Sequence, residues 1–331
     1  MINWAKIFLW PFSLIYGAIM LVWDIYWRLS PRVKLPCKII SVGNIVAGGA
    51  GKTPLVIYIA RMAIAAGYKT AIVARGYKRK SKELLEVTAD SDWHEVGDEP
   101  LEIYRQIPEA KTYVDKSKKA AAQRACDDGA QIIIVDDGFQ HRRLARDIDI
   151  VCLDNTKPFG RGGLLPYGLQ REPIRSLNRA DAIVFTSITG ESIASDTHSF
   201  NKPRAIFRSK SQVITFINLK TGQQVGMEYI RNLRIMAFCG LANPQKFRIE
   251  LEKTGIKPAR FLVYKDHHGY TDSDIEYLIN LAQNEQTGCL LTTSKDAVKL
   301  ESFDFGTVQV YYAQMSIKID DRESFKRFLG L

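Results

Sequence analysis

Residues 43–54 read GNIVAGGAGKTP, and this glycine-rich segment carries the clearest chemical signal in the chain. An apolar run precedes it like a short buried strand, and another follows it like the start of a helix. A strand, a glycine loop, Lys-Thr and a helix together form the arrangement that binds nucleotide phosphates through backbone N–H groups and the helix N-terminus. We expect Lys52 to reach the β- and γ-phosphates and Thr53 to ligate Mg²⁺, although Val46 stands where the usual pattern has glycine. The residues expected to bind the nucleotide are Gly48, Gly49, Ala50, Gly51, Lys52 and Thr53.

Two adjacent acids, Asp136 and Asp137, follow four aliphatic residues at the point where the chain leaves a predicted strand. A carboxylate at the tip of a strand near a phosphate loop can hold Mg²⁺ directly or through water. The sequence therefore predicts a metal role for Asp136 or Asp137.

Two further acidic segments could carry chemistry. Asp98 and Glu99 lie in a turn before a predicted helix, where the alternative is that Asp98 only caps the helix N-terminus. Asp266, His267 and His268 follow a predicted strand, and histidines beside an acid indicate either a metal site or an oriented proton carrier. Since no other segment shows zinc-ligand spacing, the proton carrier is favoured.

The glycine-rich, basic loop 159–173 suits an anionic or sugar ligand, and the alternative is an ordinary surface loop. The 331-residue chain carries a net charge of +10, which favours anionic partners such as phosphorylated ligands or an anionic membrane surface. It has no zinc finger and no Arg-rich or aromatic RNA-binding signature, so we expect no nucleic-acid partner, and no obligate protein partner is evident. Without a CxxC pair, the cysteines are predicted to be buried free thiols in a reducing compartment: Cys37, Cys126, Cys152, Cys239 and Cys289.

The N-terminal segment has no charged residue from Ile7 to Trp23, a length at the lower limit for a membrane span. As a helix it shows one narrow polar stripe, formed by Asn3, Lys6, Ser13, Gly17, Asp24 and Arg28. The pattern favours a helix that lies in or dips into a membrane interface, with the basic residues 28–38 meeting anionic lipid. Burial against the rest of the protein is the alternative, and the choice between spanning and lying in the plane stays open. Pro11 predicts that the regular helix starts near residue 11.

Short apolar runs and helical segments alternate along the rest of the chain. The predicted strands are Lys38–Val42, Thr70–Ala74, Lys111–Val114, Gln131–Val135, Asp149–Leu153, Ala182–Thr186, Arg204–Phe207, Val213–Ile217, Ile235–Cys239, Ala259–Tyr264, Cys289–Thr293 and Val308–Tyr312. The predicted helices are 54–66, Ala120–Asp128, Pro244–Lys253 and Thr271–Gln283. This alternation predicts a mainly parallel sheet covered on both faces. The predicted parts are a membrane-associated helix (1–30), a domain with the phosphate loop (31–210), a connection (211–232) and a smaller α/β domain (233–331).

Taken together, these motifs resemble one family, the tetraacyldisaccharide 4'-kinases of the lipid A pathway. The resemblance runs in family order from about residue 38 to 300 and rests on Gly43-Asn44, Gly48-Gly49-x-Gly51-Lys52-Thr53-Pro54, Ala74-Arg75-Gly76-Tyr77, Gly97-Asp98-Glu99-Pro100, Asp136-Asp137-Gly138-Phe139-Gln140-His141, Leu164-Leu165-Pro166-x-Gly168, Arg171-Glu172-Pro173, Asp266-His267 and Thr293-Ser294-Lys295-Asp296. That family also lacks the first glycine of the common loop. A departure is Pro-Tyr-Gly-Leu at 166–169, where Pro-Ala-Gly-Pro is usual.

The resemblance implies a P-loop NTPase-like α/β fold with two Rossmann-like lobes joined by a hinge and an N-terminal membrane-associated helix. It implies transfer of the γ-phosphoryl group of ATP, with Mg²⁺, to the 4'-hydroxyl of a tetraacylated glucosamine disaccharide 1-phosphate. The expected location is the cytoplasmic face of the inner membrane. A membrane-bound ATPase switch that controls a protein partner is the alternative function, and an adaptor that merely binds nucleotide is another.

The resemblance also implies a role for individual residues. The catalytic residues would be Asp98 as the base with His267 as its partner, together with Lys52 and Asp137. The metal ligands would be Thr53, Glu99 and Asp136. The residues that bind substrate would be Asn44, Arg75, Gln140, His141, Arg161, Arg171 and Glu172.

Overall fold

The computed structural model describes residues 4–160, 162–186 and 205–331, and the strands in these ranges join into one continuous sheet. The strands are β1 (Lys38–Gly43), β2 (Thr70–Ala74), β3 (Leu85–Val87), β4 (Lys111–Val114), β5 (Ile132–Asp136), β6 (Ile148–Asp154), β7 (Ala182–Thr186), β8 (Ala205–Asn218), β9 (Gln224–Val225), β10 (Ile235–Cys239), β11 (Arg260–Val263), β12 (Cys289–Thr293) and β13 (Gln309–Ile319). The helices are α1 (Trp4–Leu29), α2 (Lys52–Ala65), α3 (Trp93–Val96), α4 (Asp98–Gln106), α5 (Lys118–Asp127), α6 (Met227–Arg231), α7 (Pro244–Lys253), α8 (Asp272–Asn284), α9 (Ser294–Ala297) and α10 (Arg322–Leu329), with a 3-10 helix at Ile174–Arg179.

The sheet order is β11-β10-β12-β13-β8-β7-β6-β1-β5-β2-β4-β3, with β9 paired to β8. Neighbours pair in parallel except at β3–β4, β8–β13 and β8–β9. The central strands are buried on both faces, which explains why their sequences are continuously apolar rather than alternating. The predicted α/β class with a mainly parallel sheet is confirmed.

Strand β8 joins the two halves of the sheet. Its first residues pair with β7, and the rest of the strand runs antiparallel to β13. The sequence shows two short strand-like runs here, at 204–207 and 213–217, and the structure makes them one strand because β13 supplies hydrogen-bond partners through the polar residues between them. The halves are called the first lobe (residues 31–208) and the second lobe (residues 209–319) below.

The C-terminal helix α10 returns to the first lobe. Its buried Phe325 and Leu329 join the core formed by α2 and the central strands, where the Phe325 ring lies 4.8 Å from that of Phe207. The last helix therefore packs on the first lobe, although the predicted smaller domain runs from residue 233 to residue 331. That domain boundary stays a prediction.

Helix α1 begins at Trp4 and continues through Pro11, so the predicted start near residue 11 is wrong. A proline removes one backbone hydrogen bond, and α1 continues as a helix on both sides of Pro11. The stretch Phe8–Leu29 has a mean hydropathy of 1.6, and most of its large apolar side chains are exposed. By length and composition this stretch is able to cross a membrane.

Two of the five cysteines are joined in a disulfide, Cys37–Cys126, so the prediction that all five are free thiols is wrong. Cys37 precedes β1, and Cys126 lies in the last turn of α5, which packs on the sheet beside β5. Because β5 pairs with β1, the Cα atoms of the two cysteines lie 6.1 Å apart, although 89 residues separate them in sequence. Spacing along the chain cannot reveal such a pair. Cys152, Cys239 and Cys289 are free and buried, as predicted.

Candidate active site

The glycine loop connects the C-terminal end of β1 to the first residue of α2, Lys52. Gly51 takes a left-handed conformation with φ 75°, and a Cβ there would lie 3.2 Å from Thr186 Cγ2. Thr186 Oγ1 in turn donates a hydrogen bond to the Ala50 carbonyl at 3.1 Å. The end of β7 thus fixes one side of the loop, and glycine is required because a side chain would be strained and crowded.

The other side of the loop rests on residues 164–171. The backbone N–H of Ala47 donates to the Leu169 carbonyl, and the N–H of Arg171 donates to the Ile45 carbonyl, both at 2.7 Å. Two predicted substrate-binding residues shape the loop here. Buried Asn44 donates from Nδ2 to the Val46 carbonyl, and Gln140 donates from Nε2 to the Asn44 carbonyl at 2.8 Å. Their contacts in the structure are therefore with the loop backbone.

Asp137 pairs with two cations, one of which is the lysine of the phosphate loop. Its carboxylate lies 3.4 Å from Lys52 Nζ and 3.0 Å from Arg171 Nη1. Burial alone would raise the pKa of Asp137, but the neighbouring charges, led by those of Lys52 and Lys118, hold it well below its usual range. Asp137 is therefore an ionised partner of the phosphate-loop lysine.

Lys118 is a residue of the site that the sequence did not reveal. It is buried at the start of α5, and its ammonium donates to the backbone carbonyls of Asp136 and Asp137. These bonds fix the strand tip where Asp137 takes a positive φ of 49°. Burial lowers the pKa of Lys118 to about 8. No motif surrounds Lys118, so only the tertiary contact identifies it.

Asp136 is buried at the tip of β5, and its Oδ1 has no hydrogen-bond partner among the described residues. Burial, and then the negative charge of Glu99, raise the pKa of Asp136 to about 6. Within the described ranges no three His, Cys, Asp or Glu side chains form a complete metal cluster. A buried, unpaired carboxylate oxygen at the tip of β5, the strand beside β1, nevertheless fits Mg²⁺, which binds one or two carboxylates and completes its shell with phosphate and water.

Asp98 and His267 meet across the two lobes. His267 Nδ1 lies 2.8 Å from Asp98 Oδ2, while Asp98 Oδ1 accepts from the N–H of Glu99 at 2.9 Å. Burial raises the pKa of Asp98, but the hydrogen bond with His267 and the charge of Lys295 outweigh burial, and the net shift is downward. Asp98 is thus both a first-turn helix residue and one half of a buried acid–imidazole pair.

Lys295 completes this cluster from the second lobe, although the sequence analysis assigned no role to it. Its Nζ lies 3.3 Å from His267 Nε2, 3.2 Å from Glu99 Oε1 and 3.3 Å from Asp266 Oδ1. An ammonium group can only donate, so the contact with Lys295 favours the tautomer in which Nε2 of His267 accepts and Nδ1 carries the proton that faces Asp98. The place of Lys295 in the Thr293–Asp296 motif was the available signal.

Gly76 and Gly97 bring the end of β2 against the start of α4. A Cβ at Gly97 would lie 3.0 Å from Gly76 Cα, so neither position has room for a side chain. This contact sets exposed Arg75 beside the helix that carries Asp98. The Tyr77 ring lies 5.1 Å from the His267 ring.

The remaining predicted residues lie at different depths. His141 is half-buried, and burial followed by the charge of Lys118 lowers its pKa to about 4. Glu172 is buried and pairs with Arg179 at 2.7 Å, so its carboxylate is engaged in a structural ion pair. Arg161 lies outside the described residues.

Helix α1 docks on the same loop that supports the glycine segment. Ser13 Oγ donates to the Leu164 carbonyl and Tyr16 OH to the Arg171 carbonyl, both at 2.8 Å. Asp24 pairs with buried Arg142 at 2.6 Å. The polar stripe thus faces the protein at Ser13, Gly17 and Asp24, whereas Asn3 and the side chain of Lys6 lie outside the described part.

A cavity of about 420 Å³ opens between α1 and the loop after Arg171. Five arginines line it, Arg28, Arg32, Arg142, Arg175 and Arg179, with Asp24 and Glu172 as the acids. The opposite face of α1 is apolar and exposed, including Phe12, Ile19 and Val22. The basic cavity therefore lies beside an apolar surface, as an anionic amphiphile would require.

Comparison with known proteins places these features in one family. Residues 5–330 match the family model described as Tetraacyldisaccharide-1-P 4'-kinase. A tetraacyldisaccharide 4'-kinase from Syntrophus aciditrophicus is 36% identical over 338 residues, covering 96% of this chain and 90% of the relative. One from Halothermothrix orenii is 33% identical over 314 residues, covering 88% and 82%.

A solved structure agrees along nearly the whole chain. The crystal structure of LpxK from Aquifex aeolicus in complex with ATP matches with a TM-score of 0.79 and 28% identity, covering 98% of both chains. The chain belongs to the tetraacyldisaccharide-1-P 4'-kinase family.

Proposed function

We propose that this member of the tetraacyldisaccharide-1-P 4'-kinase family transfers the γ-phosphoryl group of ATP to the 4'-hydroxyl of a tetraacylated glucosamine disaccharide 1-phosphate, a step of lipid A biosynthesis. The observation that carries the proposal is the buried Asp98–His267 pair in a molecule that also carries a phosphate loop. A nucleotide-binding protein that only hydrolysed or sensed ATP would not need a buried acid–imidazole pair. The crystallised relative was solved with ATP, which supports ATP as the donor.

The chain's own residues would position the phosphates. Lys52 and the backbone N–H groups of residues 48–51 would bind the β- and γ-phosphates. Arg171, which pairs with Asp137 in the structure, would leave that carboxylate and bind the γ-phosphoryl group during transfer. Phosphoryl transfer needs alignment and charge neutralisation more than covalent help from the protein. Thr53, Asp136 and Glu99 would hold Mg²⁺, which supplies further neutralisation of the phosphate charge when bound.

Asp98 would act as the general base. In the transfer, the 4'-oxygen forms a bond to the γ-phosphorus, the bond from that phosphorus to the bridging oxygen of ADP breaks, and the hydroxyl proton passes to Asp98. His267, with this tautomer favoured by Lys295, orients the carboxylate and stabilises it through Nδ1–H. Because His267 and Lys295 come from the second lobe, the base is complete only when both lobes are together, which also limits access of water.

Helix α1 would hold the enzyme on the cytoplasmic face of the inner membrane. Its apolar face suits the acyl region, and the adjacent arginines suit the phosphate of the lipid substrate or an anionic membrane surface. The acceptor would then be met at the interface, where its acyl chains stay in the bilayer and only the sugar enters the site.

The test is incubation of the purified full chain with [γ-³²P]ATP, Mg²⁺ and the disaccharide 1-phosphate in vesicles, followed by extraction of the lipid. We expect label in the lipid at the 4' position, and only a small release of free phosphate. Release of phosphate that is independent of the lipid, with none transferred, would favour a membrane-bound ATPase switch. Nucleotide binding without turnover would favour an adaptor.

A further inference from the structure

Lys246 reaches from the second lobe to the phosphate loop of the first. It lies in the first turn of α7, and its Nζ lies 2.6 Å from Asp154 Oδ2 and 3.5 Å from the Gly49 carbonyl. Asp154 ends β6, the strand beside β1, so its carboxylate lies at the same sheet edge as the loop. A cation of one lobe is thus held at the nucleotide site of the other.

Hydrogen bonds to Asp154 orient its carboxylate toward the Lys246 ammonium group. Asp154 Oδ1 accepts hydrogen bonds from Thr156 N at 3.0 Å and from Thr156 Oγ1 at 2.8 Å, which fixes the carboxylate and directs Oδ2 toward Lys246. The contact is partly sheltered, since the side chains of Lys246 and Asp154 are 28% and 18% exposed. A fixed, partly buried carboxylate keeps the ammonium in place beside the loop.

The phosphate loop is exposed to solvent at the residues next to Lys246. Gly48 and Gly49 are exposed, and a Cβ at either position would meet no atom within 4 Å. Phosphates bound at this open stretch would lie within reach of the Lys246 side chain, whose Nζ is 3.5 Å from the Gly49 carbonyl. Lys52, the other lysine at the loop, already has Asp137 as its partner. A polyphosphate brings several negative charges, and a second ammonium group on a long, rotatable side chain is suited to meet them.

We propose that Lys246 is a nucleotide-phosphate ligand supplied by the second lobe, with Asp154 as the partner that it leaves when the polyphosphate binds. This inference rests on the proposed phosphate-loop function and adds a residue to it. It also gives the nucleotide a means of drawing the lobes together, because the phosphate then contacts both. Asp154 competes with the nucleotide for the Lys246 ammonium group and therefore limits how tightly Lys246 binds the phosphates.

The experiment is a titration of the full chain in detergent with a fluorescent N-methylanthraniloyl ATP and MgCl₂. The variants are Lys246→Ala, Lys246→Arg, Asp154→Asn and Lys52→Ala. The matched control is Lys253→Ala, because Lys253 lies on the same helix and pairs there with Glu250. Asp154→Asn keeps an oxygen for Thr156 while removing the charge opposite Lys246.

We expect Lys246→Ala to raise Kd for the nucleotide about tenfold or more, in line with the loss of a charged hydrogen bond. Lys246→Arg should retain most of the affinity, and Lys253→Ala should match the wild type. Asp154→Asn should bind as tightly as the wild type or more tightly, because it frees the cation. Equal losses for Lys246→Ala and Asp154→Asn would overturn the proposal and leave the ion pair as an inter-lobe contact.

Lys52→Ala separates this inference from the function on which it rests. If Lys52→Ala weakens binding and Lys246→Ala does not, the inference fails and the phosphate-loop function stands. If neither variant changes Kd, the phosphate-loop function itself fails.

Discussion

His267 Nδ1 lies 2.8 Å from Asp98 Oδ2, although 169 residues separate the two in sequence. Asp98 is held by the first turn of α4 in one lobe, and His267 by the loop after β11 in the other. Since neither lobe contains the pair by itself, the proposed base exists only in the assembled molecule.

Asp98→Asn and His267→Ala should each lower kcat by about 10²–10⁴, the range for removal of acid–base assistance. Residues that act as a unit lose little more when both are removed, so the double variant should resemble the worse single one. The control is His268→Ala, since His268 is the next residue but pairs with Asp274 instead. Fully additive losses would argue for separate roles.

Lys52→Ala should abolish phosphoryl transfer while the fold survives, because the point charge on the transferring phosphate is lost. Transfer of label from ATP to lipid measures the activity, and the unfolding midpoint checks the fold. Lys69→Ala, an exposed lysine of the same lobe, is the control. A well-folded variant with near-normal transfer would remove the phosphate-loop assignment.

Asp136→Asn should raise the Mg²⁺ concentration needed for half-maximal activity by about tenfold or more. The carboxylate is buried with an unpaired oxygen, and an amide is a poorer ligand for a hard cation. Activity measured as a function of MgCl₂ concentration at saturating ATP gives this half-maximal Mg²⁺ concentration. Asp127→Asn, which changes an exposed carboxylate, is the control. An unchanged Mg²⁺ dependence would exclude Asp136 as a ligand.

His141 should make the protein lose stability in mild acid. Its pKa is lowered from 6.5 to about 4 in the fold, so the folded state favours the neutral ring. The contribution of the neutral His141 ring to the free energy of unfolding is complete above pH 6.5 and is lost as the pH falls from 6.5 toward 4. Urea midpoints across that range should fall less steeply for His141→Gln than for the wild type. Parallel curves would refute the assignment, and His94→Gln, with a ring 40% exposed, serves as the reference.

Changing the exposed apolar residues Phe12, Ile19 and Val22 to serine should weaken binding to anionic vesicles and raise the apparent KM for lipid. The polar stripe that docks α1 is untouched, so nucleotide binding should persist. High salt should weaken the residual binding of this variant more than binding of the wild type, because screening acts on charges and not on buried apolar area.

The control for this face is a pair of changes in the second lobe, Ile249→Ser and Val263→Ser, which alter exposed apolar residues away from α1. If the serine variant of α1 still sediments with vesicles as the wild type does, at low and high salt alike, α1 is not the membrane-binding element.

Local patterns were enough to predict the central strands, the glycine loop and the helix that follows it, whereas the short strands β3 and β9 were missed. The predicted features depend on residues that are close together in the sequence. They are an apolar run of strand length, a glycine that permits the left-handed turn at position 51, and a lysine at the start of the helix. Their order along the chain is therefore enough to predict the local structure. The resemblance to one family added the roles of Asp98 and His267.

Contacts between distant segments were decided by the tertiary structure alone. Lys118 reaches the strand tip only because α5 packs beside β5, and Lys295 reaches His267 only because α9 follows β12 in the second lobe. The Cys37–Cys126 disulfide and the return of α10 to the first lobe have the same origin. A buried charge is stabilised by whatever partner the fold brings within hydrogen-bond distance, and sequence spacing does not record that distance.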